Sequence, residues 1–235
     1  MKTSFLLFFI IELMIFYKTN AESKIYKLKL DNVIYSIFIE QKKVSFSDLD
    51  AYKIMFHSNH INYSGNAVIY YLYKLGFNNF ENGEFLLKNI NITYNAPLKY
   101  NDHYKIIGTI TYYGNTSLGI SLVGVTSTIN EINNSRGPKS KIKNPHMKCK
   151  IKKFENKLTN MLSKYENTKH RIININDEGF MELSKQKKCK VFFAATFTLV
   201  QTDGLGQKQS ISNNIKKKNL PMPIEKFYNL INIFC

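Results

Sequence analysis

Asp48-Leu49-Asp50-Ala51-Tyr52-Lys53-Ile54-Met55-Phe56-His57-Ser58-Asn59 is the stretch on which the reading of this chain turns. From about Ser58 to Leu75 the apolar residues Ile61, Val68, Ile69, Leu72 and Leu75 fall at helical spacing. Ser58 or Asn59 is the expected N-cap and Gly76 the expected stop. Gly65 lies inside this helix and costs up to about 1 kcal/mol relative to Ala unless close packing needs it. Two carboxylates therefore stand just ahead of a long helix. The free backbone N–H groups at such a helix start, together with its dipole, polarise a carbonyl oxygen while a facing carboxylate attacks or activates water. That chemistry hydrolyses an ester or thioester without Ser or metal. The same two aspartates also suit plain capping of a turn, and the residues alone leave both readings open.

Outward from this stretch the pattern changes to strands. Residues 33–47 are rich in β-formers, with Val33, Tyr35, Ile37, Ile39, Val44 and Phe46, and a kink is expected at Gln41-Lys42-Lys43. After the helix, strands are expected at about 85–95, 103–113 and 117–128, broken at Pro97 to Asp102 and at Gly114-Asn115. Residues 132–190 are polar and Lys- and Asn-rich, with one weak helical stretch near 154–165. Val191 to Val200 is again strongly β, and a short amphipathic tail runs from Ile224 to Phe234. One strand, one long helix and then a meander predict an α+β domain whose antiparallel sheet wraps the helix. The open edge of such a sheet predicts a homo-oligomer.

The chain has 235 residues and a formal net charge of +16, from 33 Lys+Arg against 17 Asp+Glu. All but Arg136 and Arg171 of the basic residues are Lys, and Asn, Ile and Tyr are abundant, as an AT-rich genome imposes. Residues 36–131 carry 7 Lys and 7 Asp+Glu, whereas 132–190 carry 16 basic and 5 acidic residues. The charge thus sits on the insertion and tail, so a nucleic-acid footprint on the folded part is not expected. The 44% hydrophobic content excludes wholesale disorder.

Residues 1–21 read as a signal peptide: Lys2, an apolar run from Phe5 to Phe16 interrupted by Glu12, then Thr19-Asn20-Ala21. An uncleaved anchor is the other reading. No second long apolar run follows, so no stable membrane insertion of the mature chain is expected. Residues 22–32 form a candidate transit segment with Lys24, Lys27 and Lys29, which points to a relict plastid, with secretion or the endomembrane system second. Cys149, Cys189 and Cys235 are odd in number and lack metal-site spacing. Sequons occur at Asn62, Asn91, Asn115 and Asn133.

The spacing Asp48-x-Asp50-x-x-x-Ile54-x-x-His57-x-Asn59 before a helix resembles the entry motif of hotdog-fold acyl-CoA thioesterases related to 4-hydroxybenzoyl-CoA thioesterase. Ile92-x-Tyr94-x-x-Pro97, Asp102, Gly114-Asn115-Thr116-Ser117, and Leu199 to Gly204 with Leu220-Pro221 resemble its later segments in order. The resemblance covers residues 33–131 and 191–223, with 132–190 as insertion and 224–235 as tail. It implies a hotdog fold and hydrolysis of an acyl-CoA or acyl-carrier-protein thioester by a homodimer or homotetramer, without cofactor or metal. Asp50 would be nucleophile or general base, the backbone N–H near His57 would hold the thioester oxygen, and His57 would assist. Phe56, Ser58 and Asn59 would contact substrate. Two departures stand out: Tyr52 and Lys53 where the family often has Gly, and His60 in place of its helix Tyr. His57 and His60 lack a third ligand for a metal. Lys216, Lys217 and Lys218 suit either coenzyme A phosphates or a solvated tail. A non-catalytic acyl- or carrier-binding module on the same fold is the alternative.

Overall fold

The computed structural model describes residues 23–77, 84–126, 172–175, 189–203 and 205–234. The leader, residues 154–165, Asn133, Cys149 and Cys235 lie outside them. Strands β1 (Lys24–Leu30) and β2 (Val33–Lys43) precede helix α1 (His57–Lys74), and β3 (Glu84–Tyr94), β4 (His103–Tyr113) and β5 (Ser117–Thr126) follow it. The short β6 (Ile172–Asn174), β7 (Val191–Thr202), α2 (Asn213–Lys218) and α3 (Ile224–Phe234) complete the described elements. They form one sheet in the order β3-β7-β5-β4-β2-β1-β6, antiparallel throughout except for the parallel pair β1–β6. With α1 against one face, this is the α+β hotdog arrangement that the resemblance implies.

The stretch read as a candidate transit segment belongs to the sheet. Asp31 and Asn32 have φ of 50° and 63°, so they make the left-handed two-residue turn that suits a hairpin, and β1 pairs with β2 from Lys24↔Ile39 to Leu30↔Val33. Leu28 is fully buried. The expected kink at Gln41 to Lys43 is absent, since β2 stays paired with β4 through Lys43↔His103. Asn115 lies in the turn between β4 and β5, at the break expected there.

Alternation along the strands divides the interior in two. Phe38, Tyr104, Ile106, Ile120, Leu122 and Phe193 face α1, which contributes Ala67, Val68, Tyr71 and Leu72. Tyr71 donates its hydroxyl to the Ser36 carbonyl at 2.6 Å, and Thr109 donates to the same oxygen at 2.7 Å. The opposite face buries Leu28, Tyr35, Ile37, Ile107, Val123 and Val125 under Phe227, Leu230, Ile231 and Phe234 of α3. These four recur at i, i+3, i+4 and i+7, one helix face. Lys105, itself buried, donates from Nζ to the Phe234 carbonyl at 2.8 Å, which satisfies an acceptor in the last turn of α3. The tail, expected only as a short amphipathic segment, therefore makes a third layer. Cys189, just before β7, is disulfide-bonded. No helix among the described residues is long and apolar enough to cross a membrane.

Phe193 of β7 is held by the smallest possible neighbour. It lies opposite Gly124 of β5, and a Cβ at Gly124 would come within 2.1 Å of its ring. Gly124→Ala is expected to cost about 1–3 kcal/mol through this overpacking, read as a lower urea midpoint with an unchanged slope.

Candidate active site

Between β2 and α1 the chain makes one 3-10 turn, Phe46–Asp48. Asp48 is buried and its carboxylate is fully occupied. Oδ2 accepts the Ser45 N–H at 2.7 Å and the Ser45 hydroxyl at 2.7 Å, while Oδ1 accepts the Tyr63 hydroxyl at 2.5 Å. Its backbone carbonyl accepts the Phe56 N–H at 2.8 Å and Asn59 Nδ2 at 3.1 Å. Asp48 is thus the member of the aspartate pair that builds the loop. Burial and the Asp48 carboxylate push the Tyr63 hydroxyl up to about 12, so it stays a donor.

Asp50 is half-buried and organises a second, tighter turn. Its Oδ1 accepts the N–H of Tyr52 at 2.8 Å and of Ile54 at 3.3 Å, and its carbonyl accepts the Lys53 N–H at 3.0 Å. Among the described residues no donor reaches Oδ2. The turn sets Lys53 at φ 61°, a left-handed conformation that costs a non-Gly residue roughly 1–2 kcal/mol. The departure from the family's Gly is therefore a strained one.

The helix start corrects the expected cap. Phe56, not Ser58 or Asn59, is the N-cap, with φ −63° and ψ 136°, and no side chain caps it. Asn59 N–H bonds the Phe56 carbonyl at 3.0 Å. The N–H groups of His57 and Ser58 come before any helical carbonyl that would take them. Among the described residues neither N–H meets an acceptor, at the positive end of an 18-residue helix.

Asp50 and the helix start meet in a cleft of about 440 Å³. One wall is Asp50, Ile54 and Met55, another is His57 and His60 of α1, and residues 94–97 close the third side. This volume is within the range for small-ligand sites. Tyr94 donates its hydroxyl to the His57 carbonyl at 3.2 Å, which ties the end of β3 to the helix start. Asp50 and His57 are brought together as expected. Phe56, Ser58 and Asn59 are not among the lining residues: Phe56 stacks on the exposed His57 ring at 4.3 Å, and the Asn59 amide is spent on Asp48. Tyr94-x-x-Pro97, which the resemblance singles out by order and spacing without a role in the site, supplies the third wall.

His60 is only 4% exposed, wedged edge-on against Phe193 at 4.9 Å and Tyr94 at 5.2 Å. Burial, helped by the neighbouring His57, pulls its pKa down to about 4, although the Met55 backbone pulls the other way. It is neutral at pH 7, and its Nδ1 has no hydrogen-bond partner among the described residues. No cluster of three metal-ligating side chains occurs among the described residues. Of the lysine run, Lys216 is bound to the Gly114 carbonyl at 2.9 Å, while Lys217 and Lys218 are exposed.

No protein-family model matches this chain, and no curated protein sequence does. Among solved structures it is similar to a thioesterase-superfamily protein from Jannaschia sp. CCS1, with 12% identity, a TM-score of 0.47, and coverage of 79% of this chain and 86% of that one. It is also similar to a probable thioesterase from Escherichia coli, with 16% identity, a TM-score of 0.45, and coverage of 77% and 94%. A third is a 4-hydroxybenzoyl-CoA thioesterase solved with 4-hydroxybenzoyl-CoA, with 11% identity, a TM-score of 0.49, and coverage of 77% and 97%. The fold stands here on its own strand order and helix packing.

The buried neutral histidine has a measurable signature. The folded pKa of His60 lies below its unfolded value near 6.5, so its contribution is fully present above pH 6.5 and is lost as pH falls toward 4. Between pH 7 and 4 the native chain should lose about 2–3 kcal/mol more than a His60→Phe variant, read from urea midpoints at the two pH values.

Proposed function

We propose that this chain hydrolyses an acyl-CoA thioester, with an acyl-carrier-protein thioester as the second candidate substrate. The observation that carries this reading is that Asp50 and the uncapped first turn of α1 line one cleft. The thioester carbonyl oxygen would accept the N–H of His57, which lines the cleft, where the negative charge of the tetrahedral intermediate develops. Asp50 is the base or the nucleophile. As base it takes a proton from water, the hydroxide oxygen bonds the carbonyl carbon, and collapse breaks the C–S bond. The proton on Asp50 then passes to the departing sulfur, which leaves acid and thiol. As nucleophile, Asp50 forms an anhydride that water cleaves to the same products. His57, exposed at the rim, assists in orienting the thioester.

The outer edge of β3 pairs with no other described strand, and Leu86 and Leu87 are exposed on that strand. Such an edge favours antiparallel pairing with a second copy. Sedimentation equilibrium is expected to show a dimer, and a monomer at tens of micromolar would count against edge pairing.

For the chemistry, the full-length protein and its Asp50→Asn variant are compared on a panel of acyl-CoAs by thiol release. Loss of the carboxylate is expected to lower kcat by about 10²–10⁴-fold with little change in KM. Equal rates, or no release by either protein, would sink the assignment. Tight acyl-CoA binding with no release would favour the non-catalytic module.

A further inference from the structure

The cleft has a continuation on the surface. Segments 53–56 and 97–100 run antiparallel, with Ile54 paired to Lys99 and the Met55 N–H bonded to the Leu98 carbonyl at 2.8 Å. One end of this short ladder forms the cleft walls at Met55, His57, Ala96 and Pro97. The other end is Lys53 and Tyr100, two residues beyond Met55 and three beyond Pro97, or ~7–10 Å at ~3.3 Å per residue. There the Phe46 ring meets the Tyr100 ring edge-on at 6.4 Å. Phe46, Tyr52 and Tyr100 are 80%, 86% and 55% exposed. Three neighbouring aromatics left in water are unusual for a surface with no task.

Around these rings three exposed lysines outnumber two carboxylates. Lys43, Lys53 and Lys99 are exposed, and none has an ion-pair partner among the described residues. The nearby carboxylates face inward to backbone: Asp50 holds the Tyr52 and Ile54 N–H groups, and Asp102 accepts the Lys99 N–H at 2.8 Å. Lys53 keeps its long cation at φ 61°, where Gly would sit without strain.

We propose that this rim of Phe46, Tyr52, Tyr100, Lys43, Lys53 and Lys99 binds the phosphorylated adenine nucleotide that ends coenzyme A. The inference rests on the acyl-CoA reading above and adds the place of the leaving group's far end. A purine stacks on the rings while its phosphates meet the lysines, so rings and cations are used together. An acidic carrier-protein surface would use the cations alone.

The probe is adenosine 3′,5′-bisphosphate, titrated calorimetrically into the full-length protein at low salt. Binding is expected, weakened at least fivefold at high salt, by Phe46→Ala and by Lys53→Gly. Lys53→Gly should not lower the melting temperature, because it relieves the left-handed strain, so its lost affinity is not a folding defect. In turnover, each variant should raise KM for an acyl-CoA at least fivefold, and Phe46→Ala should leave rates on the matching acyl-N-acetylcysteamine thioester, which has no nucleotide, unchanged. No nucleotide binding, or binding indifferent to both variants, overturns the proposal. Impaired release from acyl-carrier protein with nucleotide affinity intact overturns it in favour of a protein partner. Absence of thiol release from any thioester would defeat the hydrolase reading, and the calorimetry would still report on the rim.

Discussion

The buried Asp48 determines where everything else in the site can stand. Its carboxylate ties the 3-10 turn to the second turn of α1 through Tyr63, and its carbonyl holds Phe56 and Asn59 at the helix start. A carboxylate in this position would be costly if any of these donors were missing, since a buried charge needs its hydrogen bonds. With them in place, the loop from Asp48 to Phe56 has a fixed span and a fixed exit. Asp50 sits inside that span, and its own turn then aims it at the cleft. The place of Asp50 in the cleft wall depends on a residue that does not line the cleft.

The start of α1 shows a trade between stability and use. A Ser, Thr or Asp at position 56 would contribute about 1 kcal/mol by bonding one of the first N–H groups. Phe56 forgoes that bond, and the donors of His57 and Ser58 stay unspent. Lys53 adds a second local cost nearby. Both lie within the same short loop, while the sheet and the two helical layers follow their local preferences closely. Local cost confined to a loop over a well-packed frame is the distribution expected of a working site.

Much of this was legible in the residues. The strands at 84–94, 103–113, 117–126 and 191–202 fall within two residues of where alternation and turn signals put them, and α1 begins one residue early. The long apolar runs of β4 and β5 were a further sign, since strands covered on both faces lose their alternation. The cover itself, α3, shows in one dimension only as a short amphipathic tail. Asp31-Asn32 was a hairpin signal that the charge of the flanking lysines obscured. Of the two aspartates only the motif resemblance distinguishes Asp50 in one dimension. Spacing alone leaves them equivalent, and the burial of Asp48 against Ser45 and against Tyr63, fifteen residues on, belongs to the fold. His60 is similar: its identity shows a departure, but its burial against Phe193 requires the late strand β7.

The outer layer has a temporal side. Helix α3 follows all seven strands along the chain, yet it covers apolar residues contributed by β1, β2, β4 and β5. Synthesis therefore delivers a complete sheet before it delivers the lid for its back. Until then Leu28, Ile37, Ile107 and Val123 face water together, a patch of the kind that chaperones hold. The helix side can close early around α1, so the loop from Asp48 to Phe56 is shaped while the molecule is still sticky on its reverse. A nascent chain of this design would carry a finished cleft before it was safe to leave unaccompanied.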